Sequence, residues 1–326
     1  MLNVAILSGW HVHAEGYAKK FQSMAGSRVS VVWDEEPERG KKFAANLGVP
    51  FEPDLGAVLK RDDVDCVCVN APTSMHREVM VAAANAKKHI FTEKVLAITN
   101  EDANAIRKAV LDNGVKFVIS FPHRGNPATL FAKEALAQKL LGTVTLMRVR
   151  NSHNGSGRGW LPPHFYVEET CGGGAMMDLG AHPMYLVSWL MGRPLEVSSV
   201  FTAVTGYAVE DNAVSVFKYE GGAIAISETG FVSEYSPFML ELYGTEGSIL
   251  INQEGIKVNS TLLGGKLSGW VTPSELPKAL PEPCEQFINA IADDAPIHYN
   301  IDEAVALTEI MVAAYKSSRE GRAVKF

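Results

Sequence analysis

Long apolar runs are missing from this 326-residue chain. None approaches the roughly 18 residues of a membrane-spanning helix, so the sequence reads as globular, with no membrane partner. Basic runs are missing too, and 37 acidic residues outnumber 30 basic ones, which excludes the electrostatic footprint that nucleic acid requires. Cysteine is scarce. Cys66 and Cys68 are two apart in an apolar run, on one face of a strand, while Cys171 and Cys284 are isolated. That pattern has no zinc spacing and is expected of reduced, buried thiols in a cytoplasmic protein. The first apolar strand begins at Asn3, with no signal-peptide pattern before it, which fits the same location. Neither internal repeats nor low-complexity tracts occur.

What is present is a change of grammar near Phe121. Before it, apolar or β-branched runs at 3–8, 28–33, near 49–51, 64–70, 88–92 and 115–120 alternate with helical patterns. Ala14, Tyr17, Ala18, Phe21 and Ala25 share one helix face. Pro37 opens a second helix that closes at Leu47-Gly48, a third spans His76 to Asn85, and a fourth runs from a Thr99 or Asn100 cap to Asn113-Gly114. Such alternation predicts an α/β unit with a doubly wound parallel sheet over residues 1–121. After it, strands are predicted in succession at 142–152, 196–206, 212–219, 223–232, 237–244, 248–252 and 255–259, with helices at 174–191, 282–293 and 302–319. Residues 122–326 are therefore expected to form an α+β domain with a large, mostly antiparallel open sheet, one face covered by helices and the other available for self-association.

The first strand leads into Ser8-Gly9-Trp10-His11-Val12-His13, where a dinucleotide-binding unit carries GxGxxG. Aligned by strand length, Ser8, Trp10 and His13 take the glycine positions; shifted by one, Gly9, His11 and Ala14 do. Either way the backbone N–H groups at the start of the next helix are donors for phosphate. Gly9 supplies one tight position, and Trp10 must turn away from the phosphates. Asp34 closes the second strand about 20 residues on, where an acid accepts from a ribose 2′-OH and repels a 2′-phosphate, favouring NAD over NADP.

Three further blocks carry a resemblance. Asn70, Ala71, Pro72, Thr73 and His76 match an xTPxxxH turn; "KKHIFTEKV" is similar to GKHVfcEKP; and "GGGAMMDLGAHPMYLVSWLMG", residues 172–192, is similar to GGGxxxDxGxHxxDxxxxLxG. In this order they resemble the Gfo/Idh/MocA oxidoreductases, the glucose-fructose oxidoreductase and inositol dehydrogenase family. The resemblance implies a Rossmann domain followed by an open antiparallel sheet, and NAD(P)-dependent hydride transfer on a sugar, inositol, polyol or sugar acid. It implies cofactor contacts from Ser8, Gly9, Trp10, His11, Val12, Asp34, Asn70, Ala71, Pro72, His76, Glu93 and Lys94. A homodimer or homotetramer formed through the open sheet is also expected.

Lys94 falls at the carboxyl end of a predicted parallel strand, where its ammonium can bind the reacting oxygen. Asp178 and His182 are four apart, on one face if helical, and the imidazole can take a hydroxyl proton as hydride leaves the same carbon. The glycines at 172–174 let backbone approach a ligand. Val95 replaces the proline of EKP and Tyr185 the second acid of the last block, so the substrate is expected to differ from inositol. Arg124 fits a cofactor, substrate or ion-pair role. In the loop 152–174, His153, Arg158, Trp160, His164 and Phe165 suit a sugar and its acid groups.

Competing readings are a helix-face ion pair at Asp178 and His182, and a metal set with His153 or His164 that lacks a fixed third ligand. At the level of the whole protein they are a non-catalytic nucleotide-binding regulator and an NAD-dependent glycosidase. The full Lys94, Asp178 and His182 set favours the dehydrogenase, with no metal.

Overall fold

The computed structural model describes residues 1–263 and 269–326. In chain order the elements begin with β1 (Leu2–Leu7), α1 (Ala14–Ser23), β2 (Ser27–Trp33), α2 (Pro37–Leu47), α3 (Leu55–Lys60), β3 (Cys66–Val69), α4 (His76–Asn85), β4 (His89–Thr92), α5 (Asn100–Asn113) and β5 (Phe117–Ile119). They continue with α6 (Pro127–Ala137), β6 (Val144–Ser152), α7 (Glu168–Cys171), α8 (Ala181–Met191), β7 (Glu196–Thr202), β8 (Asn212–Lys218) and β9 (Ile224–Gly230). The last are β10 (Met239–Gly244), β11 (Gly247–Asn252), β12 (Gly255–Ser260), α9 (Pro283–Asp293), α10 (Ile301–Glu320) and β13 (Val324–Lys325). The chain divides into two compact units. Met1–Phe121 and Pro281–Thr308 form the first; Pro122–Leu280 and Glu309–Phe326 form the second.

In the first unit, five parallel strands lie in the order β2-β1-β3-β4-β5, as the alternating grammar predicts. β3 and β5 are buried at every position because helices cover both faces of a parallel sheet. The strand expected near 49–51 shrinks to a single parallel bridge between Val32 and Phe51. Local signals set the helix ends. Thr99 accepts the Asp102 N–H at the start of α5, and Gly48 and Gly114 close α2 and α5 at φ of 69° and 61°.

The boundary expected at residue 121 assigned everything after it to the second domain; in the structure, Pro281–Thr308 packs with the first unit. The reason is aromatic. Phe287 of α9 is fully buried, with its ring 5.8 Å from Phe91 of β4 and 6.3 Å from Phe21 of α1. Helical periodicity reveals that α9 has an apolar face, but not which sheet that face meets.

In the second unit, eight strands lie in the order β12-β11-β10-β6-β9-β8-β7-β13. Pairing is antiparallel except between β6 and β9. β8 alternates strictly, with Ala213, Ser215 and Phe217 inward and Val214 and Val216 outward. β7 stops at Thr202, short of the expected 206, because the Asp211 carboxylate captures the Val204 and Thr205 N–H groups at 2.8 and 2.7 Å. Among the described residues three helices were not anticipated: α3 behind its Asp54 cap, α6 behind Asn126-Pro127, and the four-residue α7 within the loop 152–174. No helix of the described residues is long and apolar enough to cross a membrane. All four cysteines are free and buried, and burial pushes the Cys171 thiol up to about 11.

The helix expected over 174–191 begins only at Ala181. Before it, hydrogen bonds jump register: Asp178 N–H reaches the Gly174 carbonyl, Gly180 N–H the Ala175 carbonyl, and His182 N–H the Leu179 carbonyl. Asp178 therefore lies in a series of turns, and its relation to His182 is not that of two residues on one regular helix face.

Phe287→Ala is expected to destabilise the first unit by about 3–5 kcal/mol. Denaturant unfolding followed by tryptophan fluorescence measures it. A loss below about 1 kcal/mol would contradict the placement of α9.

Candidate active-site residues in the two units

The first unit turns at Ser8, whose φ of 78° lies in the left-handed region and whose Oγ accepts the Trp10 N–H at 3.1 Å. The tight turn thus falls at Ser8, which selects the register with Ser8, Trp10 and His13 in the glycine positions. Gly9 is small for another reason. A Cβ there would stand 2.9 Å from the Phe43 ring, so the close approach is to α2. Trp10 is buried, and Val12 is exposed.

Asp34 departs from expectation. Its Oδ2 accepts from Gly9 N–H at 2.8 Å and Arg39 Nε at 3.0 Å, and its Oδ1 from Glu36 N–H at 2.8 Å and Arg39 Nη2 at 2.6 Å. Four donors fill the four lone-pair sites of a carboxylate. Asp34 is a buried tie between the loop and α2, with no acceptor position left for a ribose hydroxyl. Arg39 also pairs with Glu35 and Glu36, so three carboxylates surround one guanidinium.

His76 departs as well. Its Nδ1 lies 3.0 Å from the Leu96 carbonyl and its Nε2 3.1 Å from the Ala71 carbonyl, so both nitrogens face protein and a neutral ring donates to one of the two carbonyls. Burial pulls this imidazole below its ordinary value. Asn70 is different. Its carbonyl receives the His11 N–H at 3.2 Å, while its buried Oδ1 has no partner. Ala71 is buried and Pro72 begins the turn into α4.

At the carboxyl end of β4, Glu93 is enclosed. It accepts from Tyr17 Oη and pairs with His13 Nδ1, each at 2.7 Å, and it accepts the Lys94 N–H. Burial pushes this acid up. The His13 hydrogen bond and the neighbouring His11 and Lys94 side chains outweigh burial and hold it well below the usual carboxylate range. Tyr17 passes the network on to Ser120 Oγ at 2.9 Å. Lys94 is buried beside Glu93.

Among the described residues, His11, His13 and Glu93 also bring ligand-type atoms within 4.8 Å of one another. The local field opposes a cation there. The group lies at the N-terminus of α1, next to the Lys94 ammonium, and both favour an anion. No side chain caps that helix end. The N-terminus of α1 and the unpartnered Asn70 Oδ1 fit a dinucleotide. The Trp10, His11, His13 and Ala14 N–H groups already donate to Ser8 Oγ, the Asn70 carbonyl, His11 Nδ1 and the His11 carbonyl, and Asp34 is engaged by protein donors.

In the second unit, Glu210 organises the turn that carries Asp178. Its carboxylate accepts from Gly174 N–H at 3.0 Å, Met176 N–H at 2.9 Å and Tyr315 Oη at 2.6 Å. Burial pushes Glu210 above the ordinary carboxylate value, against the pull of these donors. Of the glycines 172–174, expected to let backbone approach a ligand, Gly173 and Gly174 are packed against protein. A Cβ on Gly173 would meet Tyr315 Oη at 2.0 Å, and one on Gly174 the Glu210 carbonyl oxygen at 2.0 Å.

His182 opens α8 with its Nδ1 2.9 Å from Tyr185 Oη. That oxygen also accepts the His123 N–H at 3.2 Å, and the His123 ring stands edge-on to His182 at 4.9 Å. Tyr185, which stands in place of the second acid of the last block, is buried with its hydroxyl at the imidazole. Arg124 is buried over the Trp189 ring at 4.8 Å.

The loop 152–174 is held by contacts within itself and with the segment 231–234 that follows β9. His153 stacks on Phe231 at 5.0 Å, Trp160 Nε1 donates to Asn154 Oδ1 at 2.9 Å, and Arg158 pairs with Glu234. His164 and Phe165 pack together at 5.0 Å. Sequence reasoning missed His123, Glu210, Tyr17 and Arg39. Only His123 carried a local signal, standing beside Arg124 in "FPHRGNP".

A parallel sheet with a helix N-terminus offered to an anion at its carboxyl edge is the architecture of dinucleotide-dependent oxidoreductases. Residues 4–121 match the family described as oxidoreductases with an NAD-binding Rossmann fold, and residues 129–250 match the GFO/IDH/MocA C-terminal domain. The chain belongs to the GFO/IDH/MocA oxidoreductase family. It is 26% identical to scyllo-inositol 2-dehydrogenase (NAD(+)) of Bacillus subtilis over 93% of this chain and 90% of that protein. It is 27% identical to levoglucosan dehydrogenase of Pseudarthrobacter phenanthrenivorans over 69% of this chain and 65% of the relative. A solved levoglucosan dehydrogenase in complex with NADH and L-sorbose shares the fold with a TM-score of 0.85 at 22% identity, covering 100% of this chain and 98% of that one.

Gly174→Ala is expected to force the Glu210 backbone away and cost about 1–3 kcal/mol. Thermal melting would register it, and an unchanged melting temperature would contradict the close packing described here.

Proposed function

We propose that the protein transfers a hydride between a nicotinamide dinucleotide and a CH–OH or carbonyl group of a sugar, inositol, polyol or sugar acid. The observation that carries this reading is His182, an imidazole whose Nδ1 is fixed by a neighbouring hydroxyl in the unit that bears the family's GGGxxxDxGxH block. When bound, the nicotinamide would supply the hydride acceptor or donor. The chain supplies the rest. Lys94 binds the reacting oxygen and polarises it, His182 Nε2 takes the hydroxyl proton, and Asp178 orients the imidazole or the substrate hydroxyl. The first turn of α1 faces the pyrophosphate, and Asn70 Oδ1 accepts from a ribose hydroxyl.

NAD is preferred over NADP for a reason other than a free Asp34. Asp34, Glu35 and Glu36 outnumber Arg39, and that excess of negative charge repels a 2′-phosphate. A cytoplasmic location is supported by four free, buried thiols. Self-association is supported by the outward face of β7, β8 and β9, where Val200, Val214, Val216 and Ile224 are exposed.

The test is a screen of the purified protein with NAD against inositols, levoglucosan, aldoses and sugar acids, followed by absorbance of NADH. Turnover is expected, and His182→Ala or Lys94→Ala is expected to lower it about 10²–10⁴-fold. Tight NAD binding without turnover on any compound would favour a regulatory binding protein instead. Calorimetric titration is expected to give a Kd for NAD at least about tenfold below that for NADP, equivalent to about 1.4 kcal/mol. Equal affinities would remove the electrostatic argument.

A further inference from the structure

We propose that Tyr185 is the positioning residue of His182, holding Nδ1 through a neutral phenol so that the imidazole serves as a proton acceptor at neutral pH. The inference rests on the assignment of His182 as proton acceptor. An imidazole takes a proton on Nε2 only when Nδ1 carries the ring hydrogen, and that hydrogen requires an acceptor. Tyr185 offers one. Its Oη has two lone pairs; one receives the His123 N–H at 3.2 Å, and the other stands 2.9 Å from His182 Nδ1. The two residues are three apart on α8 and both buried, 8% exposed for His182 and 2% for Tyr185, so neither side chain swings into solvent. The edge-on His123 ring, itself stacked on Phe238 at 4.7 Å and 4°, limits how His182 can tilt.

The chemical nature of the partner matters as much as its place. A carboxylate on Nδ1 would stabilise the imidazolium and raise its pKa by about 1–3 units, lowering the fraction of the ring that is neutral near pH 7. A phenol orients the ring without adding that charge. The His123 ring stands edge-on to the imidazole; on neighbouring segments of the same unit Asp178 lies in the preceding turns, and Arg124 and Lys133 lie over Trp189 further along α8. β6 and β9, beneath α8, turn Met147, Val149, Ala225, Ser227 and Thr229 inward. Arg148, Arg150 and Glu228 alternate to the other face and pair with one another there.

The test is a pH titration of the full-length protein carrying isotope-labelled histidine, followed by nitrogen NMR, for the native chain, Tyr185→Phe and Tyr185→Asp. The His182 signal is identified by its loss in His182→Gln. The native ring is expected to carry its neutral-form hydrogen on Nδ1. Tyr185→Asp is expected to raise the midpoint by about 1–3 pH units, and Tyr185→Phe to shift the tautomer towards Nε2–H. In turnover, Tyr185→Phe is expected to lower kcat about 10–100-fold with KM nearly unchanged. Identical tautomers and midpoints in all three proteins would overturn the proposal. If the aspartate variant does not fold, an unchanged tautomer in Tyr185→Phe overturns it alone. The NMR readout needs no turnover, so a chain that oxidises nothing in the screen would refute the enzymatic assignment without deciding how Tyr185 acts on His182.

Discussion

A buried carboxylate without donors costs several kcal/mol, a large share of a domain's stability, so where one occurs its surroundings are fixed by the need to satisfy it. Each unit is organised around such an acid. Glu93 gathers His13, Tyr17 and the Lys94 N–H, joining the start of α1 to the end of β4. Glu210 gathers Gly174, Met176 and Tyr315, shaping the turns before α8. In both, a tyrosine hydroxyl completes the set. These acids are not assigned to the chemistry itself; they place the residues that are, Lys94 in one unit and Asp178 in the other.

The first sheet was legible because its information is local. Continuous apolar runs such as "VDCVCVN" mark strands covered on both faces, and the Thr99 cap and Gly48 mark helix ends without help from distant residues. The second sheet was legible from strict alternation, best seen in β8. The site was legible as a set of residue types, much less as a set of bonds. Asp34 sits where a ribose ligand belongs, yet Arg39, in the first turn of α2, reaches back and pairs with it. Nothing in a strand-end motif encodes that return. Glycines 172–174 were read as room for a ligand, but the space beside Gly173 and Gly174 is taken by Tyr315 and Glu210, far away in sequence. The same close packing breaks the helix expected to carry Asp178.

In the proposed assignment, nucleotide choice and proton acceptance both pass through residues that need not touch what they select. If Asp34 is committed to the loop, cofactor preference depends on the sum of charges at Glu35, Glu36 and Arg39, an effect that salt weakens. If Tyr185 holds His182, basicity depends on a hydroxyl three residues along the same helix. Substitutions at such positions alter selectivity or pH response while every contacting residue stays in place.

The discontinuity of the first unit also imposes an order in time. During synthesis its five strands emerge long before Phe287 does, because the whole eight-stranded sheet except β13 lies between them in sequence. Until α9 leaves the ribosome, Phe21 and Phe91 lack the ring that covers them, and the nascent sheet presents an aromatic surface to whatever is nearby. The protein closes its first unit almost last, so early truncation leaves an adhesive half rather than a finished domain.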